Sequence, residues 1–402
     1  MKQVIIFIFL LFFIGCAEKE ETPLVENTSE INTAIEVNEI IENKIDQNIT
    51  VDINSSTISE ETEIIVSTQV DINDTEVFLE PYYYQQWYLE KDEAFYLQNA
   101  IDNDAHIHAN NLLHTYRGAG VKIAVIDDGL DVTHEDLNGS VIHTYDISTG
   151  TTNVAHLNQS GHHGTAVTGI IGARSNSLGI QGVASSSQII FIKHNENMSD
   201  SETIELFTKA EEFGADIINC SWGTYDVSQA VTEKIQDLAI NGRDSKGIII
   251  VFAVGNDDRD MGNDESAIPE VLAVSASDKD NLRAWYSNYG EHLDVVAPGG
   301  YELGITTLDN MGNNGIASLD ENYLLYDDHN SFIGTSASAP IVSGVIALML
   351  ERNPNLTRVE IEDILKNSSD KIGNLAYKNG RNNYYGYGKI NLSSIMNYLS
   401  ME

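Results

Sequence analysis

Between residues 80 and 402, short apolar runs alternate with segments whose apolar positions recur every three to four residues. Val121-Lys122-Ile123-Ala124-Val125-Ile126 is one such run, and it stops at Asp127-Asp128-Gly129. Similar runs occupy residues 188–193, 216–220, 247–254, 271–276 and 293–297. Continuous apolar character over these lengths suits strands buried on both faces, since a half-exposed strand would alternate. Segments 163–173, 201–213 and 227–240 read as helices, and Ile341 to Leu350 continues a helix that opens near Ser336. The alternation predicts an α/β fold of three layers, a mostly parallel central sheet with helices on both faces. Ligands in such sheets bind beyond the carboxyl ends of the strands. Asp127, Ser221 and Asn256 each end or follow a predicted strand, which argues for one domain over 80–402.

The N-terminal fifth has another texture. Lys2 precedes an apolar run from Val4 to Ile14, too short to span a membrane, that ends in Gly15-Cys16. Residues 1–16 resemble a bacterial lipoprotein signal, which implies cleavage before Cys16, a lipid on its sulfur and a membrane as partner. An ordinary signal peptide with an incidental cysteine is the alternative. Residues 17–79 carry sixteen acids against Lys19 and Lys44, with no aromatic before Phe78 and no sustained period. Such a segment cannot bury enough apolar surface to offset chain entropy, so it reads as an acidic tether or a small prosegment. The net charge of −39 excludes nucleic acid as a partner and suits bound cations or basic substrates. Two cysteines give no disulfide framework.

Candidate chemistry gathers at Gly334-Thr335-Ser336-Ala337-Ser338-Ala339-Pro340. Ser336 sits where a loop becomes a helix, close to free N–H groups and the positive helix end, with Pro340 expected in the first turn. An N-cap serine before a buried helix would look the same. Acyl transfer from a serine needs a base and a carboxylate that sets the base's tautomer. Asp127, His163 and Ser336 supply these groups in that order. His162 is a rival base beside His163.

Ala124-Val125-Ile126-Asp127-Asp128-Gly129, His162-His163-Gly164-Thr165 and Gly334-Thr335-Ser336-Ala337-Ser338-Ala339-Pro340 resemble the three signatures of subtilisin-like serine proteases. The likeness covers about 80–397. The Pro81…Gln85-Gln86-Trp87-Tyr88-Leu89 start, the Asp127-Asp128 pair and Ser221-Trp222-Gly223 resemble the kexin/furin branch in particular. The resemblance implies a serine endopeptidase acting on extended polypeptide through Asp127, His163 and Ser336, with Asn256 completing the oxyanion hole. It further implies that Ser221, Trp222 and Gly223 form one wall of the primary substrate pocket and Ala253 and Gly255 the other. Asp226 aligns with an acidic residue of that pocket and Asp128 with one facing the next substrate position, so basic side chains are expected at the cleavage site. Three features depart from the branch. Its cysteine pairs are missing, Ser160 stands where an acid is expected, and only 66 residues follow Ser336, too few for its C-terminal β-rich domain.

The resemblance also implies calcium. Asp136 matches a calcium aspartate, and the loop 174–180 would offer the Asn176 side chain and the carbonyls of Arg174, Leu178 and Ile180. Glu80 or Gln85 would reach in from the start of the domain. Hard oxygen donors in a flexible loop suit calcium. The expected whole is a lipid-anchored, calcium-stabilised serine endopeptidase of the bacterial cell envelope. A silent peptide-binding module and a structural lipoprotein are its rivals.

Overall fold

The structure, a computed structural model, describes residues 80–156, 161–195 and 197–401. The signal segment with Cys16, the acidic stretch 17–79 and Ser160 lie outside the described residues.

Seven strands form the main sheet: β1 (Lys122–Asp127), β2 (Val141–Asp146), β3 (Gln188–Lys193), β4 (Ile217–Cys220), β5 (Ile249–Ala253), β6 (Leu272–Ser277) and β7 (Val295–Pro298). They run parallel in the order β2-β3-β1-β4-β5-β6-β7. A separate antiparallel pair joins β8 (Thr307–Leu308) to β9 (Tyr323–Leu324). The helices are α1 (Glu93–Asn99), α2 (Leu112–Thr115), α3 (His163–Gly172), α4 (Asp200–Glu212), α5 (Gln229–Ser245), α6 (Thr335–Arg352), α7 (Arg358–Ser368) and α8 (Leu392–Met401).

The pleat sends alternate residues of each strand into two cores. Ile123 and Val125 of β1 pack with Val167 and Ile170 of α3 and the apolar length of α6. Ala124 and Ile126 face the other way, toward Leu206 and Phe207 of α4 and Ile235 and Leu238 of α5. Both faces of the sheet are covered, as the continuous apolar runs predict. The strand pattern misses β2. This edge strand reads Val-Ile-His-Thr-Tyr-Asp and is mostly half-exposed, so no apolar run marks it.

Local signals set the helix ends. Ser199 accepts the Glu202 N–H while the Glu202 carboxylate takes the Ser199 N–H, a reciprocal cap that opens α4. Thr357 and Glu360 do the same for α7. The regular turns of α5 stop at Gly242, whose ψ of 172° is not helical.

Helix α6 is buried from Thr335 to Leu350 and runs through the larger core. Each large apolar side chain fully buried there contributes about 1.5–3 kcal/mol. The helix begins at Thr335, so Pro340 falls in its second turn and not in the first as expected. Proline has no N–H to offer the Ser336 carbonyl four residues back. The Ser221 hydroxyl donates to that carbonyl instead, at 3.0 Å. One helix-breaking residue thereby ties β4's end to the start of α6.

The chain leaves β1 for β2 and β3 on one side and later enters β4 on the other. β1 is therefore the strand where the order reverses, and a crevice opens beyond its carboxyl end. Asp127 is its last residue.

Candidate active site

Asp127 is buried, 1% exposed, at the end of β1. His163 is the first residue of α3, and its Nδ1 lies 2.7 Å from Asp127 Oδ1. The approach depends on Gly164. A Cβ there would stand 2.2 Å from the Gly129 carbonyl oxygen and 3.0 Å from Asp127 Cβ, so only glycine lets α3 come this close. His163 is thus the residue that meets Asp127, while His162 holds the cap position of the helix.

The pair is electrostatically coupled. Burial alone would depress His163, but the charge and hydrogen bond of Asp127, with Asp128 adding, raise it above its ordinary value. Burial pushes Asp127 upward, yet His163 and the Asp128 N–H outweigh it and hold the carboxyl below its usual range.

Ser336 is buried in the first turn of α6, 9% exposed. Its hydroxyl donates to the Ser221 carbonyl oxygen at 3.1 Å. Ser221 is held in turn by the Asn219 amide, and Asn219 accepts from Ser343 of α6. Gly334, with φ of 125°, makes the turn that presents the serine.

Asn256 lies across from this turn. Its Oδ1 accepts the Thr335 N–H at 2.9 Å and the Thr335 hydroxyl at 3.0 Å. A backbone N–H can only donate, so these bonds identify the oxygen and leave Nδ2 as the end aimed elsewhere. A Cβ at Gly334 would sit 3.2 Å from that Nδ2. The amide nitrogen and the N-terminal N–H groups of α6 therefore converge beside Ser336, the layout an oxyanion requires.

The two stretches expected to wall the pocket lie as follows. Trp222 turns its ring away from the cleft, where Nε1 donates to the Ile126 carbonyl at 2.9 Å and the indole packs on Phe252. Gly223 backs directly onto Asp264, since a Cβ there would meet the carboxylate at 2.6 Å. Ala253 ends β5, and Gly255 turns with φ of 94°. A Cβ at Gly255 would lie 3.0 Å from the Tyr225 hydroxyl, so Tyr225 spans the two walls. Asp226 is exposed at the rim and accepts from the Asn263 amide. Asp264 and Glu265 are buried behind the wall, accepting from the N–H groups of Tyr225 and Thr224. Burial and the Asp264 charge raise Glu265. Glu265 has no recognisable motif in the sequence, and only the fold brings it under Gly223 and Thr224. Asp128 keeps 39% of its side chain exposed on the cleft.

A separate set of oxygens gathers around the 174–180 loop. Asp136 is fully buried; its Oδ2 accepts from Ile180, but Oδ1 has no partner. Glu80 Oε2 and Gln85 Oε1 are also buried without a partner. Among the described residues, the carbonyls of Arg174, Leu178 and Ile180 accept no hydrogen bond. Asn176 Oδ1 takes only the Leu178 N–H. Burial and the nearby Glu80 push Asp136 up to about 8. Buried acceptors left without donors cost energy unless a cation takes them. The set is all oxygen and fits a hard divalent ion. Of the two residues expected from the start of the domain, Glu80 meets this loop, its Oε1 accepting the Ser177 N–H at 3.2 Å.

Residues 118–388 match the subtilase family. The chain is 35% identical over 338 residues to the calcium-dependent protease of Nostoc sp., an alignment covering 76% of this chain and 50% of that one. It is 32% identical to subtilisin Savinase of Lederbergia lenta, covering 68% of this chain and 90% of that one. Among solved structures, it is similar to a protease from Pseudoalteromonas arctica, with a TM-score of 0.65 at 24% identity over 80% of this chain and 98% of that chain. The chain spans about half the length of the first relatives it matches.

Proposed function

The chain belongs to the subtilase family, and on that footing we propose that it is a serine endopeptidase cleaving extended polypeptide through an acyl-enzyme. The observations that carry it are the 2.7 Å His163–Asp127 bond, Ser336 in the first turn of α6 and the amide of Asn256 oriented by Thr335. Asp127 keeps the proton on His163 Nδ1, which leaves Nε2 bare as the base. The Ser336 hydroxyl leaves the Ser221 carbonyl, gives its proton to Nε2 and attacks the substrate carbonyl. The Asn256 amide and the Ser336 N–H receive the oxyanion. His163 then protonates the leaving amine, and water releases the acyl group by the reverse route.

The exposed backbones of 221–223 and 253–255 suit an extended peptide added as a strand. Asp264 and Glu265 behind the wall, Asp226 at the rim and Asp128 on the cleft support a preference for Arg or Lys side chains, in keeping with a kexin/furin-like cleft. Calcium would be held by Glu80 or Gln85, Asp136, Asn176 and the carbonyls of Arg174, Leu178 and Ile180. Its role is to tie the start of the domain to the loop. The apolar run that ends at Cys16 supports export and a lipid anchor in the bacterial envelope; no described helix is long and apolar enough to cross a membrane.

Mass spectrometry of a peptide library incubated with the full chain in calcium, beside Ser336→Ala, tests the reading. Cleavage after Arg or Lys that vanishes in the mutant is expected. Cleavage confined to bonds after Leu, Phe or Tyr would remove the basic preference, and identical products from both proteins would remove the peptidase. Cys16→Ala should move the protein from the membrane to the soluble fraction; no movement would sink the anchor.

A further inference from the structure

Asp128 Oδ1 accepts the Gly164 N–H at 3.0 Å and lies 3.6 Å from His156 Nδ1. The His156 ring is wedged between two glycines: a Cβ at Gly129 or Gly161 would stand 2.6 or 2.7 Å from Nδ1. On the far side of the ring, Nε2 lies 3.1 Å from Thr165 Oγ1.

The tautomer of His156 can be worked out along this chain of bonds. The Asn310 amide nitrogen donates to the Gly161 carbonyl, which can only accept, so Asn310 Oδ1 is the end that faces Thr165. Thr165 gives its one hydroxyl proton to that oxygen at 2.7 Å. It also accepts the Asp131 N–H at 3.0 Å. A hydroxyl that has given its proton away can only accept from His156. Nε2 therefore carries the hydrogen, and neutral His156 turns a bare lone pair toward Asp128. Two acceptors facing each other stand beyond hydrogen-bond distance, as the 3.6 Å separation shows. A single proton between them would turn this opposition into a hydrogen bond.

We propose that His156 is a positioning residue that makes Asp128 the proton-holding member of a carboxyl–imidazole pair, which rests on Asp128 being a carboxylate that meets a basic substrate side chain. The cleft's attraction for a cationic side chain then switches on as that proton leaves. The proton resides on the carboxyl: burial and the Asp127 charge push Asp128 up to about 6, whereas burial pushes His156 down to about 4. The charged groups facing His156 are Asp127 and Asp131, which favour its protonation, and His162 and Lys193, which oppose it. His163 faces Asp128 and favours its anion. In the protonated state Asp128 donates to Nδ1 and the pair is neutral. In the deprotonated state an anion faces the substrate.

The test is the pH dependence of a ratio. Two peptides would differ only in carrying Arg or its uncharged analogue citrulline at the position second from the scissile bond on the acyl side. The full chain would be assayed in calcium between pH 5 and 8. Titration of His163 is common to both peptides and cancels in the ratio of their kcat/KM values. In the wild type the ratio should rise about tenfold with a midpoint near pH 6, and Asp128→Asn should flatten it. His156→Gln replaces the fixed lone pair with an amide free to turn an N–H toward the Asp128 anion, so the midpoint should fall by about one pH unit. Thr165→Val frees His156 to place its hydrogen on Nδ1, which would stabilise the anion and lower the midpoint likewise. This second variant decides the matter if the first does not fold. A ratio flat in the wild type overturns both the cleft reading and this proposal. A wild-type midpoint that neither variant moves overturns the proposal alone.

Discussion

At the cleft, the buried carboxylate Asp127 receives an imidazole and a backbone donor on one oxygen, His163 at 2.7 Å and the Asp128 N–H at 2.9 Å, while its Oδ2 has no partner. At the 174–180 loop, the equally buried Asp136 also has one oxygen without a partner, but its other oxygen takes a single backbone donor at 3.2 Å and the carboxylate of Glu80 lies close by. Desolvation acts alike on both; the neighbours differ. Asp127 is held below its usual range and stays an anion that steadies an imidazolium, while Asp136 is driven up to about 8. Burial by itself therefore does not say what a carboxylate is for. The first set suits the movement of a proton, the second the receipt of a cation.

Replacing the nucleophile gives the largest expected effect. Ser336→Ala should lower kcat by about 10⁶, a magnitude known from subtilisin itself, with no change in thermal unfolding; retained turnover would take Ser336 out of the chemistry. Chelating calcium should act on the other set. With free calcium a thousandfold above its Kd, removal should cost about 4 kcal/mol of stability. Calorimetry with and without chelator would read it, and Asp136→Asn should abolish the difference. A chelator that leaves unfolding untouched would break the contrast between the two regions. Asn256→Ala should cost about 10²–10³ in kcat with little change in KM, again a figure established on subtilisin. A rise in KM alone would make Asn256 a substrate contact only.

The smallest effect comes from a buried histidine outside both regions. His106 accepts the His108 N–H at 2.9 Å, and burial, with the charges of His108 and Lys389, pushes it down to about 3 from 6.5. The unfolded chain takes up that proton near 6.5 and the folded chain only near 3. The stability it contributes is therefore present above pH 6.5 and lost as the pH falls through that window. The slope should approach about 1 kcal/mol per pH unit. His106→Asn, which retains an acceptor, should flatten that slope in acid denaturation curves. An unchanged slope would assign the loss to other groups and sharpen the reading of rate profiles at low pH.

Periodicity alone places six of the seven main-sheet strands, because strands covered on both faces must be apolar throughout. The edge strand β2 is lost to the same rule, since its exposed side tolerates His143 and Thr144. Asp127, His163, Ser336 and Asn256 are legible because a turn, a helix start and a strand end each leave a short local pattern around them. Glu265 and His156 leave none. Glu265 lies under Gly223 and Thr224 through contacts some forty residues away in sequence. The tautomer of His156 depends on Thr165 and Asn310, the latter more than 140 residues distant.

Short-range pattern was enough for the layered α/β architecture, for singling out Asp127, His163 and Ser336 and for the oxygen-rich loop, since each leaves its mark within one element or turn. Packing between distant segments supplied everything else. It joined Pro340's missing N–H to the Ser221 hydroxyl, left Asp136 Oδ1 and Glu80 Oε2 unpaired beside one loop and aimed a histidine lone pair at Asp128. Those outcomes depend on which buried polar atoms find donors, and no stretch of chain carries that information until its partners from elsewhere in the fold are in place.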